Sequence, residues 1–140
     1  MHILVVDDEL VSRKLMEMIM TSCGHCDTAE TGEAAIALFS NALENNNPYD
    51  LITLDISMPG MGGLMALVRI RKIEKEKGLP ETKRVKIIMV TGDMDKSILI
   101  ECLKNGCDDY MTKPFKRDIM LKKMIKLGLL PADFINIPKK

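Results

Sequence analysis

The sequence predicts an α/β domain built as five βα units around a doubly wound parallel sheet. Three observations carry that prediction. Ile3–Val6, Leu51–Leu54 and Ile87–Val90 are short, near-continuous apolar runs, as expected of strands covered on both sheet faces. Segments with apolar residues at helical spacing lie between them. Each run also stops at a polar residue: Asp7 and Asp8, Asp55, and Thr91. A shorter run, Tyr110–Thr112, stops at Lys113 ahead of Pro114. Ligands of open α/β sheets bind outside the carboxyl ends of the strands. Three carboxylates, a hydroxyl and an ammonium are therefore expected at one sheet edge.

The elements follow in order. The first strand leads into a helix over 9–22, with Leu10, Val11, Leu15, Met18 and Ile19 at helical spacing and Gly24 as its expected stop. His25–Glu30 is short and polar, as an edge strand is. Thr31-Gly32-Glu33 opens an Ala-rich helix over Ala34–Leu43, ended by Asn45-Asn46-Asn47-Pro48. After the third strand, Pro59–Gly63 forms a loop and Leu64–Lys77 a helix, broken at Gly78-Leu79-Pro80. The fourth strand is Val85–Val90. Lys96–Asn105 is helical, with Gly106 placed to cap it. Asp109–Thr112 is the fifth strand and Arg117–Lys126 the last helix. Alternating βα units with right-handed crossovers give the flavodoxin-like (βα)5 strand order 2-1-3-4-5. Strands 1 and 3 then lie side by side, which brings Asp7, Asp8 and Asp55 together.

Composition narrows the function. The 140 residues suit one domain, and 46% apolar content suffices for a core. Lys plus Arg equals Asp plus Glu at 20 each, which gives no case for non-specific nucleic-acid binding. No apolar stretch approaches the roughly 18 residues of a bilayer span. Met1–Val6 lacks the basic region of a signal peptide, so a cytoplasmic location with reduced thiols is expected.

Three close carboxylates repel one another unless a cation neutralises them. Mg2+ suits such a set, with Mn2+ the alternative, because it accepts one or two carboxylates, keeps waters and takes a phosphate oxygen. A carboxylate held there can act as a nucleophile toward phosphorus. Lys113 would supply a point charge to one phosphoryl oxygen and Thr91 a hydroxyl donor to another.

Val5-Val6-Asp7-Asp8-Glu9, Asp55-Ile56-Ser57-Met58-Pro59-Gly60-Met61-Gly62-Gly63, Thr91-Gly92 and the stretch Gly106 to Phe115 together resemble the receiver domain of response regulators, the CheY-like superfamily, in its single-domain type. Residues 1–127 would be the receiver and 128–140 a short C-terminal tail, too short for an output domain. The resemblance implies that Asp55 is the phosphoacceptor of a two-component phosphorelay, loaded by a sensor histidine kinase. It implies that Asp8, Asp55 and the backbone carbonyl of Ser57 hold Mg2+ directly, with Asp7 acting mostly through water. Lys113 would bridge to the phosphoryl group, and the Lys113–Pro114 bond would be cis. Thr91 and Tyr110 would form the switch pair, changing the partner preference of the face made by helix 4, strand 5 and helix 5.

The implied protein is a signalling phosphoacceptor rather than an enzyme acting on other substrates. Its partners would be the kinase and a downstream effector or phosphotransfer protein, with no direct nucleic-acid or membrane contact, in a monomer or weak dimer. A phosphorelay intermediate and a receiver fragment of a larger regulator are the alternatives. A haloacid-dehalogenase-type phosphatase fits less well, since it needs a second acid where Ser57 stands. Gly92 departs from the alanine usual at its position. Ser57 and Asp93 occupy positions that tune dephosphorylation in receivers.

Other features read more plainly. Cys23-Gly24-His25-Cys26 copies a redox motif, but at a helix C-terminus, where the dipole does not lower a thiol pKa. Arg69–Lys77 reads as a solvated helix face without an ion-pair network. His2 and His25 read as lone imidazoles, neither a ligand. Most of the twelve methionines read as core filling, with Met94 and Met124 left open. Lys122, Lys123, Lys126, Lys139 and Lys140 read as solubilising charge.

Overall fold

The computed structural model describes residues 1–92 and 96–136. Five strands, β1 (His2–Val6), β2 (His25–Ala29), β3 (Leu51–Asp55), β4 (Lys86–Thr91) and β5 (Asp109–Thr112), form one parallel sheet in the order β2-β1-β3-β4-β5. The helices are α1 (Leu10–Thr21), α2 (Gly32–Glu44), α3 (Gly63–Glu76), α4 (Lys96–Lys104) and α5 (Arg117–Lys126). This is the flavodoxin-like (βα)5 order that the alternating pattern requires. Two 3-10 turns, Glu81–Lys83 and Phe134–Asn136, were not expected.

Alternation along each strand divides the core in two. Leu4, Val6, Ile52, Leu54, Ile87 and Met89 pack with Phe39, Leu67 and Ile70 on the side of α2 and α3. Ile3, Val5, Leu51, Ile88, Val90 and Met111 pack with Met16, Met20, Met120 and Leu121 on the side of α1 and α5. Leu130 is buried in the second cluster, and Leu129, Phe134 and Ile135 pack against it. The residues that follow α5 thus cover the sheet through Ile135. Met124 is fully buried, whereas Met94, Asp93, Lys139 and Lys140 lie outside the described residues.

Three sequence readings need correction. On α1, Ile19 is buried, but Leu10, Val11, Leu15 and Met18 are 50% to 71% exposed. The helix turns Arg13, Met16, Ile19 and Met20 inward instead. It carries two apolar stripes, and periodicity alone does not say which meets the sheet.

The charged stretch on α3 is not simply a solvated face. Glu74 is fully buried, 2.7 Å from Arg71 Nη1, and accepts the Val85 backbone N–H at 2.8 Å. Arg71 also reaches the Gly106 carbonyl at 2.8 Å and Asp108 at 3.0 Å, and Asp108 accepts the Ile87 N–H. This network ties α3 to β4 and to the turn before β5. Gly106, at φ 95°, supplies the left-handed cap that this turn requires.

Nor are the two histidines alone. The β1–β2 register sets His2 beside His25, and both face Asp27. Cys23 and Cys26 are free thiols packed toward the α1–α5 side, and burial pushes Cys26 up to about 12. That is the direction opposite to a reactive thiolate.

Candidate functional site

The site lies where β1, β3, β4 and β5 end. Asp55 and Thr91 are the last residues of their strands, and backbone hydrogen bonds still hold those ends in the sheet. The Ile56 N–H donates to the Val90 carbonyl at 2.9 Å, and the Lys113 N–H to the Thr91 carbonyl at 2.8 Å. Asp55 pairs with Val90 and Thr91 with Thr112. Gly63 sits against the Asp55 backbone so closely that a Cβ would lie 2.2 Å from the Asp55 carbonyl oxygen. Only glycine allows α3 to start that near the strand end.

Asp7, Asp8 and Asp55 each place one carboxylate oxygen within 4.8 Å of the others. Asp7 and Asp55 are buried and Asp8 is exposed, so the trio has one wet side. The Asp7 carboxylate is oriented by the Glu9 N–H at 2.9 Å, and that of Asp55 by the Ser57 N–H at 3.1 Å. Burial and the neighbouring Asp7 charge push Asp55 up to about 6, against the opposing pull of Lys113 and the Ser57 N–H.

Lys113 projects into this acidic cleft, and the Lys113–Pro114 peptide is cis. Its ammonium lies 3.1 Å from Asp7, 3.3 Å from Asp55 and 2.7 Å from Glu9. Burial alone would lower its pKa, but the contacts with Glu9, Asp7 and Asp55 outweigh it and hold the group charged. Glu9 had no role in the sequence reading. Its place directly after the paired aspartates was the available signal.

Thr91 is buried and Tyr110 is exposed, with Lys123 Nζ 5.5 Å from its ring centre. A groove beside them is lined by Tyr110, Phe115, Ile119, Lys122, Lys123 and Lys126. At Gly92, an added Cβ would meet nothing nearer than the Lys113 Cδ at 4.0 Å among the described residues.

A clustered acidic trio with a partly wet side and one inserted ammonium suits a hard divalent cation and a phosphoryl oxygen. Comparison with known proteins agrees with that chemistry. Residues 3–125 match the family model for the response regulator receiver domain. The chain is 30% identical over 127 residues to the chemotaxis protein CheY of Pseudomonas aeruginosa, covering 91% of this chain and 95% of that protein. It is 35% identical over 124 residues to hybrid signal transduction histidine kinase L of Dictyostelium discoideum, covering 89% of this chain but only 7% of that protein. Among solved structures, a CheX–CheY–BeF3–Mg2+ complex from Borrelia burgdorferi matches with a TM-score of 0.77 at 29% identity, over 91% of this chain and 88% of that one. No helix among the described residues is long and apolar enough to cross a membrane.

Proposed function

Because this chain belongs to the response regulator receiver domain family, we propose that its Asp55 accepts a phosphoryl group from a sensor histidine kinase and that the change is read by a docking protein. The observation that carries this reading is the meeting of Asp7, Asp8 and Asp55 with Lys113 set among them. Residues 1–127 are the receiver in this reading and 128–140 a C-terminal tail, of which Leu129, Leu130, Phe134 and Ile135 pack on the receiver's core.

Asp8, Asp55 and the Ser57 backbone carbonyl would hold Mg2+, with Asp7 acting through water, and Mn2+ would substitute. When bound, the ion supplies charge neutralisation for the phosphoryl oxygens. Asp55 attacks phosphorus through a carboxylate oxygen, and the bond from phosphorus to the donor imidazole nitrogen breaks with its electron pair going to the imidazole. Lys113 leaves Glu9 and follows the new phosphoryl oxygen. The Thr91 hydroxyl donates to a second oxygen, and Tyr110 turns inward behind it. Such positioning and charge neutralisation are most of what phosphoryl transfer asks of a protein.

Two surfaces support a docking output. Leu10, Val11, Leu15 and Met18 form an exposed apolar stripe on the helix that starts just after Asp8, suited to the donor protein. The Tyr110–Lys126 groove, with its lysines, suits a downstream effector with apolar and acidic groups. Exposed Ile98, Ile100 and Leu103 on α4 add apolar surface to that output side. Onward transfer to a phosphotransfer protein is the second reading, motivated by the hybrid kinase relative. The protein acts in the cytoplasm as a monomer or weak dimer, without direct nucleic-acid or membrane contact. Ser57 in place of a second acid argues against a hydrolase acting on other phosphates.

Intact mass after incubation with Mg2+ and a small acyl phosphate tests the reading. The wild type gains one phosphoryl group and Asp55→Asn gains none. A gain retained in Asp55→Asn would sink the assignment.

A further inference from the structure

We propose that His2, His25 and Asp27 form a second cation site, for a borderline transition-metal ion such as Zn2+, at the edge of the sheet opposite Asp55. One ligand atom from each residue lies within 4.8 Å of the other two. His2 Nε2 stands 3.0 Å from Asp27 Oδ2, and His25 Nε2 stands 3.1 Å from Asp27 Oδ1. The backbone builds the cluster directly. His2 and His25 are register partners at the starts of β1 and β2, and Asp27 follows His25 by two residues on the same face.

The surroundings orient the ligands as metal sites do. The His2 ring is stacked on Tyr49 at 4.1 Å, and its Nδ1 lies 3.1 Å from the Asn47 carbonyl. A carbonyl only accepts, so Nδ1 carries the proton of that bond. In the neutral ring Nε2 then holds the lone pair, and it points at a carboxylate. Two acceptors face each other there, and a cation between them reconciles the pair. A backbone carbonyl fixing the far nitrogen of a ligating imidazole is the usual outer-shell arrangement. Tyr49 donates its hydroxyl to Asp27 at 2.7 Å.

The donor set decides the ion. Two imidazole nitrogens and one carboxylate favour Zn2+ and its transition-metal neighbours over Mg2+, which prefers oxygen. Zn2+ ligands stand about 2.1 Å from the metal and so about 3.4 Å from one another in a tetrahedron. The His25 side chain is 72% exposed, so its ring can swing outward by the small amount required. Cys23 and Cys26 pack toward the opposite face and do not join the set. A bound ion would clamp the edge strand β2 to β1, and water would complete its coordination.

Calorimetric titration of the full chain with Zn2+, in excess Mg2+, tests the site on the wild type, His25→Asn and Asp55→Asn. The expected result is one Zn2+ per chain, weakened about tenfold or more in His25→Asn and unchanged in Asp55→Asn. Co2+ substitution should give a spectrum without a thiolate band. No uptake by the wild type overturns the proposal and leaves a proton as the cation shared with Asp27. Uptake that is unaffected by His25→Asn, or lost in Asp55→Asn, also overturns it by placing the ion elsewhere. Neither outcome bears on phosphorylation of Asp55, which the mass measurement tests separately.

Discussion

Lys113 stands closer to Glu9 than to either buried aspartate, at 2.7 Å against 3.1 Å for Asp7 and 3.3 Å for Asp55. Glu9 is largely exposed while both aspartates are buried. The ammonium is therefore shared between the cleft and its rim. In the proposed reading a phosphoryl group on Asp55 would draw it inward, and Glu9 would resist that movement. Glu9→Gln should speed phosphorylation by an acyl phosphate about threefold, and its stability should stay within about 1 kcal/mol of wild type, as for an exposed ion pair. A time course of intact mass checks this. A slower reaction would show that Glu9 helps to position Lys113 rather than holding it back.

The raised pKa of Asp55 makes stability depend on pH. Its folded value of about 6 lies above the ordinary carboxylate value of about 4. Between those values the folded state binds more protons than the unfolded state, so stability falls as pH rises through that window. In the presence of a chelator, Asp55→Asn should exceed the wild type by about 3 kcal/mol above pH 6. The margin should vanish below about pH 4, where both forms of the wild type are protonated. Urea melts across pH would measure it, and Mg2+ should narrow the gap. A margin that does not vary with pH would contradict the assignment.

The Arg71–Glu74–Asp108 network makes a strong stability prediction. Glu74→Ala removes the fully buried carboxylate that faces Arg71 Nη1, leaving Arg71 to Asp108 and the Gly106 carbonyl, and it removes the acceptor of the Val85 N–H. Breaking one side of a buried pair costs about 3–5 kcal/mol, and thermal or urea unfolding should show a loss in that range. Glu74→Gln keeps an acceptor for Val85 and should lose less. A loss under about 1 kcal/mol for Glu74→Ala would mean that the pair is solvated after all.

The outer stripe of α1 can be separated from the chemistry. Val11→Glu places a charge on an exposed apolar surface and should leave folding and acyl-phosphate labelling unchanged. It should slow transfer from the cognate phosphorylated kinase by about tenfold or more, the scale of losing one interface hot spot. Equal slowing with both donors would instead place the defect within the site.

What the sequence disclosed followed from patterns along one strand. Leu51–Leu54 ending at Asp55 shows both burial and the position of a carboxylate, because strand ends and functional ends coincide in this fold. The pairings that stayed hidden depend on neighbours distant in sequence. His2 and His25 meet only once β1 and β2 are in register. The partners of Arg71 beside buried Glu74 include the Gly106 carbonyl and Asp108, 35 and 37 residues away in sequence, brought there by the turn before β5. On α1, two stripes of similar apolarity made the inner one ambiguous. Glu9 was adjacent to the paired aspartates, but its reach to Lys113 spans 104 residues.

The two stripes of α1 answer to different constraints. The inner one, with Met16, Ile19 and Met20, must fit a sheet that belongs to the same chain. The outer one is released from that fit, so its side chains can be exchanged without disturbing the fold. A cell that holds many proteins of this architecture must keep their signals from crossing. Discrimination of that kind depends on mismatches with wrong partners as much as on contacts with the right one. A helix whose solvent side is free of the fit its core side must satisfy gives insulation between parallel pathways a place to arise, a few residues from the acidic cluster.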